Sequence, residues 1–275
     1  MEPRDQLVML NGLRFHYREW GQDGAPPLVL LHGFSAHSRL WDPFARAMAG
    51  HYHLFALDQR GHGESAWADA YSADLMIADL VAFVRALRLD RFTLIGHSMG
   101  GRNAYGYAAQ HQATLDRLVL VDIGPEMPAG ASDRFRQNVV QSKDIFDTPE
   151  EAFAAVRAAN PFPPDDVLRA RTFSGLMLRE DGRWTFRYDK ALRDPARFRM
   201  AFDPAENWAL LRGIATPTLL VRGAESDLLD PGIARRVALE MPDCTLVTVP
   251  AAGHPVPLDN PQGFIDAVKP WLLGH

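Results

Sequence analysis

Hydrophobic and polar positions follow two rhythms along this chain. Short apolar runs at Leu28–Leu31, Leu54–Leu57, Phe92–Ile95 and Leu118–Val121 are bounded by Gly, Asp or Pro and predict buried strands. Thr218–Val221 and Thr245–Val249 repeat that pattern later. Segments with a helical period lie between them, at Ala73–Leu87, Gly101–His111, Pro231–Glu240 and Pro261–Leu272. The last two open on a proline, which suits a first helical turn. Strands alternating with helices require right-handed crossovers, so the pattern predicts an α/β fold with a mostly parallel sheet covered on both faces. Before the first crossover, Leu7–Leu10 and Arg14–Trp20 flank Asn11-Gly12, a strong signal for an antiparallel hairpin.

The rhythm breaks between Gly124 and Gly213. Helical patterns at Glu150–Ala159 and Asp165–Met177 are separated by Pro161-Phe162-Pro163-Pro164. Asp181-Gly182 then sits between Leu176–Leu178 and Trp184–Tyr188 like a second hairpin turn. The segment is too rich in Phe, Trp and Leu for a linker. It predicts a mainly helical cap, 124–213, inserted into a core made of 1–123 and 214–275.

Composition narrows the function classes. With 275 residues and 47% hydrophobic content the chain can bury a large core without staples. The net charge of −5 is spread over interspersed acids and bases, which argues against nucleic acid or an anionic membrane as partner. Cys244 is the only cysteine, so no internal disulfide forms, and its place at the start of a strand suits a packed, inert thiol. Neither a signal peptide nor a membrane span is visible, and a soluble, cytoplasmic protein is expected.

The chemistry gathers around Gly96-His97-Ser98-Met99-Gly100-Gly101, between a strand and a helix. A serine hydroxyl attacks well only when it is held exposed on a sharp turn beside a base, and small neighbours make that turn possible. The base must be a histidine, which exchanges protons at neutral pH. No H-E-x-x-H spacing suggests a metal, and no G-x-G-x-x-G follows a strand, so no cofactor is expected.

These motifs resemble the α/β-hydrolase superfamily, in the branch of small serine esterases and acyl hydrolases. His32-Gly33-Phe34 follows the strand where that family has its oxyanion loop. Asp58-Gln59-Arg60-Gly61-His62-Gly63-Glu64-Ser65 is similar to its D-x-R-G-x-G-x-S loop, and Gly253-His254 occupies the position of its catalytic histidine. The resemblance implies Ser98 as nucleophile, His254 as base, and an oxyanion hole from the backbone N–H groups of Phe34 and Met99. For the acid it implies Asp227, after Leu219-Leu220-Val221-Arg222-Gly223, with Asp122 and Glu225 as alternatives. His32, His62 and His97 are expected to support loops, Asp230 to cap a helix, and Arg102 to lie on a helix surface. Phe135, Phe146, Phe153, Phe162, Phe173, Trp184 and Trp208 give the cap a large apolar inventory, mostly for its own core. The implied activity is hydrolysis of carboxylic esters of small to medium, largely apolar small-molecule substrates through an acyl-enzyme. A C–C bond hydrolase, a lactonase or thioesterase on the same triad, and a slow-turnover receptor are the alternatives.

Overall fold

In the computed structural model, which describes residues 2–131, 133, 137, 141–194, 196–199 and 203–274, the buried apolar runs become the strands of one sheet. Its members are β1 (Arg4–Leu10), β2 (Leu13–Trp20), β3 (Pro27–Leu31), β4 (His53–Leu57), β6 (Phe92–His97), β7 (Leu115–Val121), β12 (Thr218–Gly223) and β13 (Cys244–Val249). They lie in the order β1-β2-β4-β3-β6-β7-β12-β13. The hairpin β1–β2 and the β2–β4 contact are antiparallel, and every later pair is parallel. Asn11 and Gly12 both take positive φ at the hairpin turn, as a two-residue turn of this kind requires.

Alternate residues of these strands feed two cores. Val29, Leu31, Phe55, Leu57 and Leu94 face α2 (Ala73–Ala86) and α3 (Met99–His111). Leu28, Leu30, Leu54, Ala56 and Ile95 face the side covered by α1 (Asp42–Met48) and α9 (Pro261–Leu273). The strands are apolar on both faces because helices cover both. Helix α7 (Pro231–Glu240) begins where expected, with the Asp230 side chain accepting from the N–H groups of Gly232 and Ile233.

Between β7 and β12 the chain forms α4 (Pro149–Ala159), α5 (Asp165–Ser174) and a small sheet of β8 (Ile145–Phe146), β10 (Trp184–Phe186) and β9 (Leu176–Leu178). The helix expected to run to Met177 stops at Ser174. Gly175 N–H bonds back to the Arg171 and Thr172 carbonyls, and Leu176–Leu178 pair with β10 instead. Phe146, Ala152 and Leu176 make a local core against Trp184 and Phe186. Trp208, on α6 (Pro204–Arg212), instead joins the main core beside α3. Phe135 lies outside the described residues. Also present are the short pair β5 (Tyr71–Ser72) and β11 (Phe198–Arg199), and the single turn α8 (Val256–Asp259). Among the described residues no helix is long and apolar enough to cross a membrane.

Candidate active site

Strand β6 ends at His97 and α3 begins at Met99, so Ser98 alone makes the turn, with φ of 53° and ψ of −117°. A non-glycine residue held there stores about 1–3 kcal/mol of backbone strain, which the surrounding hydrogen bonds must over-determine. Ser98 N–H donates to the Val121 carbonyl at 3.0 Å, and its own carbonyl accepts the first helical bond from Arg102 N–H. The turn also needs a close approach of backbones. A Cβ on Gly100 would lie 2.4 Å from the Leu31 carbonyl oxygen, and one on Gly33 would lie 3.1 Å from the Ser98 Cβ. The His32-Gly33-Phe34 loop is therefore pressed against the serine.

Ser98 Oγ lies 2.8 Å from His254 Nε2. On the other side of the ring, His254 Nδ1 lies 2.7 Å from a carboxylate oxygen of Asp122. The expectation for Asp227 is corrected here: the carboxylate on His254 is Asp122, at the end of β7. Asp227 is exposed, on the loop after β12 at the rim of the cavity in front of Ser98, and Glu225 lies on the same rim. Asp122 follows β7, the direct neighbour of β6, and its side chain reaches the imidazole, whereas Asp227 follows β12 and stands exposed at the rim.

The loop after β12 still serves the site, by holding Asp122. Gly223 N–H donates to Asp122 Oδ1 at 3.0 Å, and Ser226 Oγ donates to Oδ2. Asp122 is only 1% exposed, and its own positive φ of 49° turns the side chain toward His254. A buried carboxylate bonded in this way is fixed in orientation and charge-complementary to an imidazolium.

The histidine-bearing motifs have structural roles. Burial pulls His97 well below its ordinary value, assisted by the nearby His254, so its ring is neutral. Its Nε2 then donates to the His254 carbonyl at 3.0 Å and steadies the histidine loop. Burial likewise lowers His32, which accepts from Gln59 N–H through Nε2 at 3.0 Å. Burial alone would raise Asp58. The hydrogen bond and charge of His16 outweigh it, and hold the carboxyl below its ordinary value while it also accepts from Ser38 and Glu64 N–H. Arg60 forks onto Asp79, at 2.5 and 2.7 Å. Arg102 is half-buried on α3, with its Nε buried and its guanidinium over the Tyr105 ring. Burial pushes the Cys244 thiol up to about 11, which leaves it unreactive at neutral pH.

A cavity of about 420 Å³ opens in front of Ser98 and His254. Phe34, Leu40 and Leu258 of the core and Val156 and Phe162 of the 124–213 segment give it apolar walls. A hollow of about 20 Å³ is lined by Ser98 and His254 together with Phe34, Met99 and Asp122. Two further residues at the large cavity were not singled out by motif. Asn160 Nδ2 donates to Asp259 Oδ1 at 2.6 Å, joining the inserted segment to the core, and Gly253 N–H donates to Oδ2 at 2.8 Å. Burial raises Asp259 to about 6 against those two hydrogen bonds. Arg171, from α5, is the third. None of the three lies in a local motif, and only the folded chain brings them to the serine.

Comparison with known proteins agrees with this architecture. The chain is 30% identical to the N-formylmaleamate deformylase of Pseudomonas putida, over 96% of this chain and 95% of that protein. It is 27% identical to an esterase of Mycobacterium tuberculosis, over 91% and 83% respectively. The crystal structure of E-2-(acetamidomethylene)succinate hydrolase superposes with a TM-score of 0.88 at 25% identity, covering 98% of this chain and 99% of that one. The alpha/beta hydrolase family itself is matched over residues 28–267, a span that holds the His32-Gly33-Phe34 loop, the Ser98 turn, the inserted segment and the His254 loop. With sheet order, strained serine turn and sequence span in agreement, the chain is a hydrolase belonging to the alpha/beta hydrolase family.

Proposed function

We propose that the chain hydrolyses carboxylic esters of small to medium substrates through an acyl-enzyme on Ser98. The observation that carries this reading is the unbroken path from Ser98 Oγ through His254 to Asp122, facing an apolar cavity of about 420 Å³. In the proposed mechanism, Ser98 attacks the ester carbonyl while His254 Nε2 takes its proton. Asp122 holds the imidazole in the tautomer with hydrogen on Nδ1 and stabilises the imidazolium that forms. The backbone N–H of Met99, in the first turn of α3 and thus without a helical acceptor, and that of Phe34 receive the oxyanion. His254 then protonates the leaving alcohol, and water releases the acyl group by the reverse proton path. In this reading 124–213 acts as a lid that supplies one wall of the pocket.

A second reading keeps the same three residues and changes the bond cleaved. It is supported by relatives named for a formylmaleamate and an acetamidomethylene succinate, neither of which is named as an ester. A C–C bond, lactone or thioester substrate belongs to the same reading.

The test is turnover of p-nitrophenyl esters from acetate to palmitate by the wild type and by Ser98→Ala. Rapid release of nitrophenol from the shorter esters, lost by about 10⁴-fold or more in the variant, is the expected result. Negligible wild-type turnover by folded protein on every ester would overturn the ester reading and leave the second one.

A further inference from the structure

Among the described residues that line the apolar cavity, Arg171 is the one lysine or arginine, and it makes no ion pair. Arg171 lines the cavity together with Ser98, and its Nε is buried with no hydrogen-bond partner. Two other arginines of the same segment are paired, Arg157 with Asp165 at 2.7 Å and Arg193 with Asp144 at 3.7 Å, whereas Arg187 shares a buried, unpartnered Nε but does not line this cavity. Asp259 on the cavity wall acts on Arg171 through its charge but forms no ion pair with it; its oxygens accept from Asn160 Nδ2 and from Gly253 N–H.

A guanidinium keeps its charge in such a setting, so the cost of burying it is carried by the fold unless an anion arrives. Burial pulls Arg171 below its ordinary value, with the charge of Asp259 opposing it. Its field also reaches the serine wall. After burial, Arg171 is the next cause that holds His37 at about 3, and it adds to the lowering of His97 beside Ser98. The forked, planar donor set of arginine matches a carboxylate with two parallel hydrogen bonds.

We propose that the cavity takes an acyl substrate bearing a second, free carboxyl group, and that Arg171 receives that carboxylate. The proposal rests on the reading of Ser98 as nucleophile and narrows its substrate class from plain esters to half-esters of diacids or their analogues. The cavity's apolar walls accommodate the methylene chain between the two carboxyl groups, while Arg171 sets the register of the reacting carbonyl on Ser98.

The experiment compares mono-4-nitrophenyl adipate with its methyl ester, 4-nitrophenyl methyl adipate, in which the same chain carries no charge. Wild type is expected to favour the free acid by about 10- to 100-fold in kcat/KM, the range of a hydrogen bond to a charged group. Arg171→Gln is expected to erase that preference, chiefly through KM, and Arg171→Lys to restore part of it, which a merely structural role would not do. A second measurement removes the chemistry: adipate binding to Ser98→Ala by calorimetry, with and without Arg171→Gln. Equal rates on the two esters, unaltered in Arg171→Gln, overturn the carboxylate site and leave the ester reading standing. No turnover of either ester, with adipate binding weakened about 10- to 100-fold by Arg171→Gln, supports the carboxylate site and overturns the ester reading. Absence of both turnover and Arg171-dependent binding overturns both.

Discussion

Replacing Asp122 by Asn separates the two candidate acids most sharply. The carboxylate accepts from His254 Nδ1 at 2.7 Å and from Gly223 N–H at 3.0 Å, with Ser226 Oγ as a third donor. An asparagine can keep the Gly223 contact through its carbonyl oxygen, which leaves its NH₂ group facing His254. The imidazole must then turn its unprotonated nitrogen toward the asparagine, and Nε2 carries the hydrogen and no longer accepts from Ser98. Loss of the correct tautomer in a triad costs about 10⁴-fold in turnover, or about 5 kcal/mol at 1.36 kcal/mol per decade. Asp227→Asn, at the exposed rim, is expected to cost less than about tenfold, the scale of an exposed charge. The assay is kcat/KM on p-nitrophenyl butyrate, with the rate of Ser98 labelling by a fluorophosphonate followed by mass spectrometry as a readout independent of substrate choice. Far-UV circular dichroism confirms that each variant is folded. If Asp122→Asn keeps a tenth or more of both rates, or Asp227→Asn is the more damaged of the two, the assignment of Asp122 is wrong.

Two further outcomes test the packing around the site. Gly100→Ala forces a Cβ to within 2.4 Å of the Leu31 carbonyl oxygen. Backbone cannot yield as a flexible side chain can, so a loss of about 3 kcal/mol and a fall in Tm of about 6–12 °C are expected by calorimetry; an unshifted Tm would mean that the serine turn is looser than described. Asp259 gives a pH signature, because burial raises it from 3.8 to about 6. A carboxyl whose folded value exceeds its unfolded one favours the native state only while protonated, so its contribution is lost as pH rises from about 4 through 6. Asp259→Asn removes that loss. Its stability relative to wild type is expected to rise by about 2–3 kcal/mol between pH 4 and pH 7, read from urea unfolding, and a flat difference would refute the raised value.

The elements that were legible in the sequence are those set by local chemistry. Buried apolar runs, N-terminal prolines and caps such as Asp230 specify strands and helices through neighbours a few residues away, and the observed bounds differ by at most three residues. Helix α5 is the instructive exception. Its apolar period runs through Leu176 and Met177, but pairing with β10 is worth more to those residues than another helical turn after Gly175.

The same division holds at the site. Ser98 and His254 were legible because a strained strand-to-helix turn demands glycines around it and a fixed place after a strand, and such demands leave a local pattern. The acid leaves no such pattern, since a carboxylate after either β7 or β12 satisfies the same motif grammar. Only the folded loops, in which Gly223 N–H and Ser226 Oγ hold the Asp122 carboxylate against His254, decided that Asp122 rather than Asp227 meets the imidazole. The cavity wall was decided later still. Asn160, Arg171 and Asp259 lie as much as 99 residues apart in the chain, in the case of Asn160 and Asp259, and meet only when the inserted segment folds over the sheet edge. Sequence by itself determined the fold class and pointed to Ser98 and His254, because those depend on short-range constraints. Tertiary structure decided which carboxylate meets the imidazole and the character of the pocket, because both depend on which distant surfaces the core packing brings together.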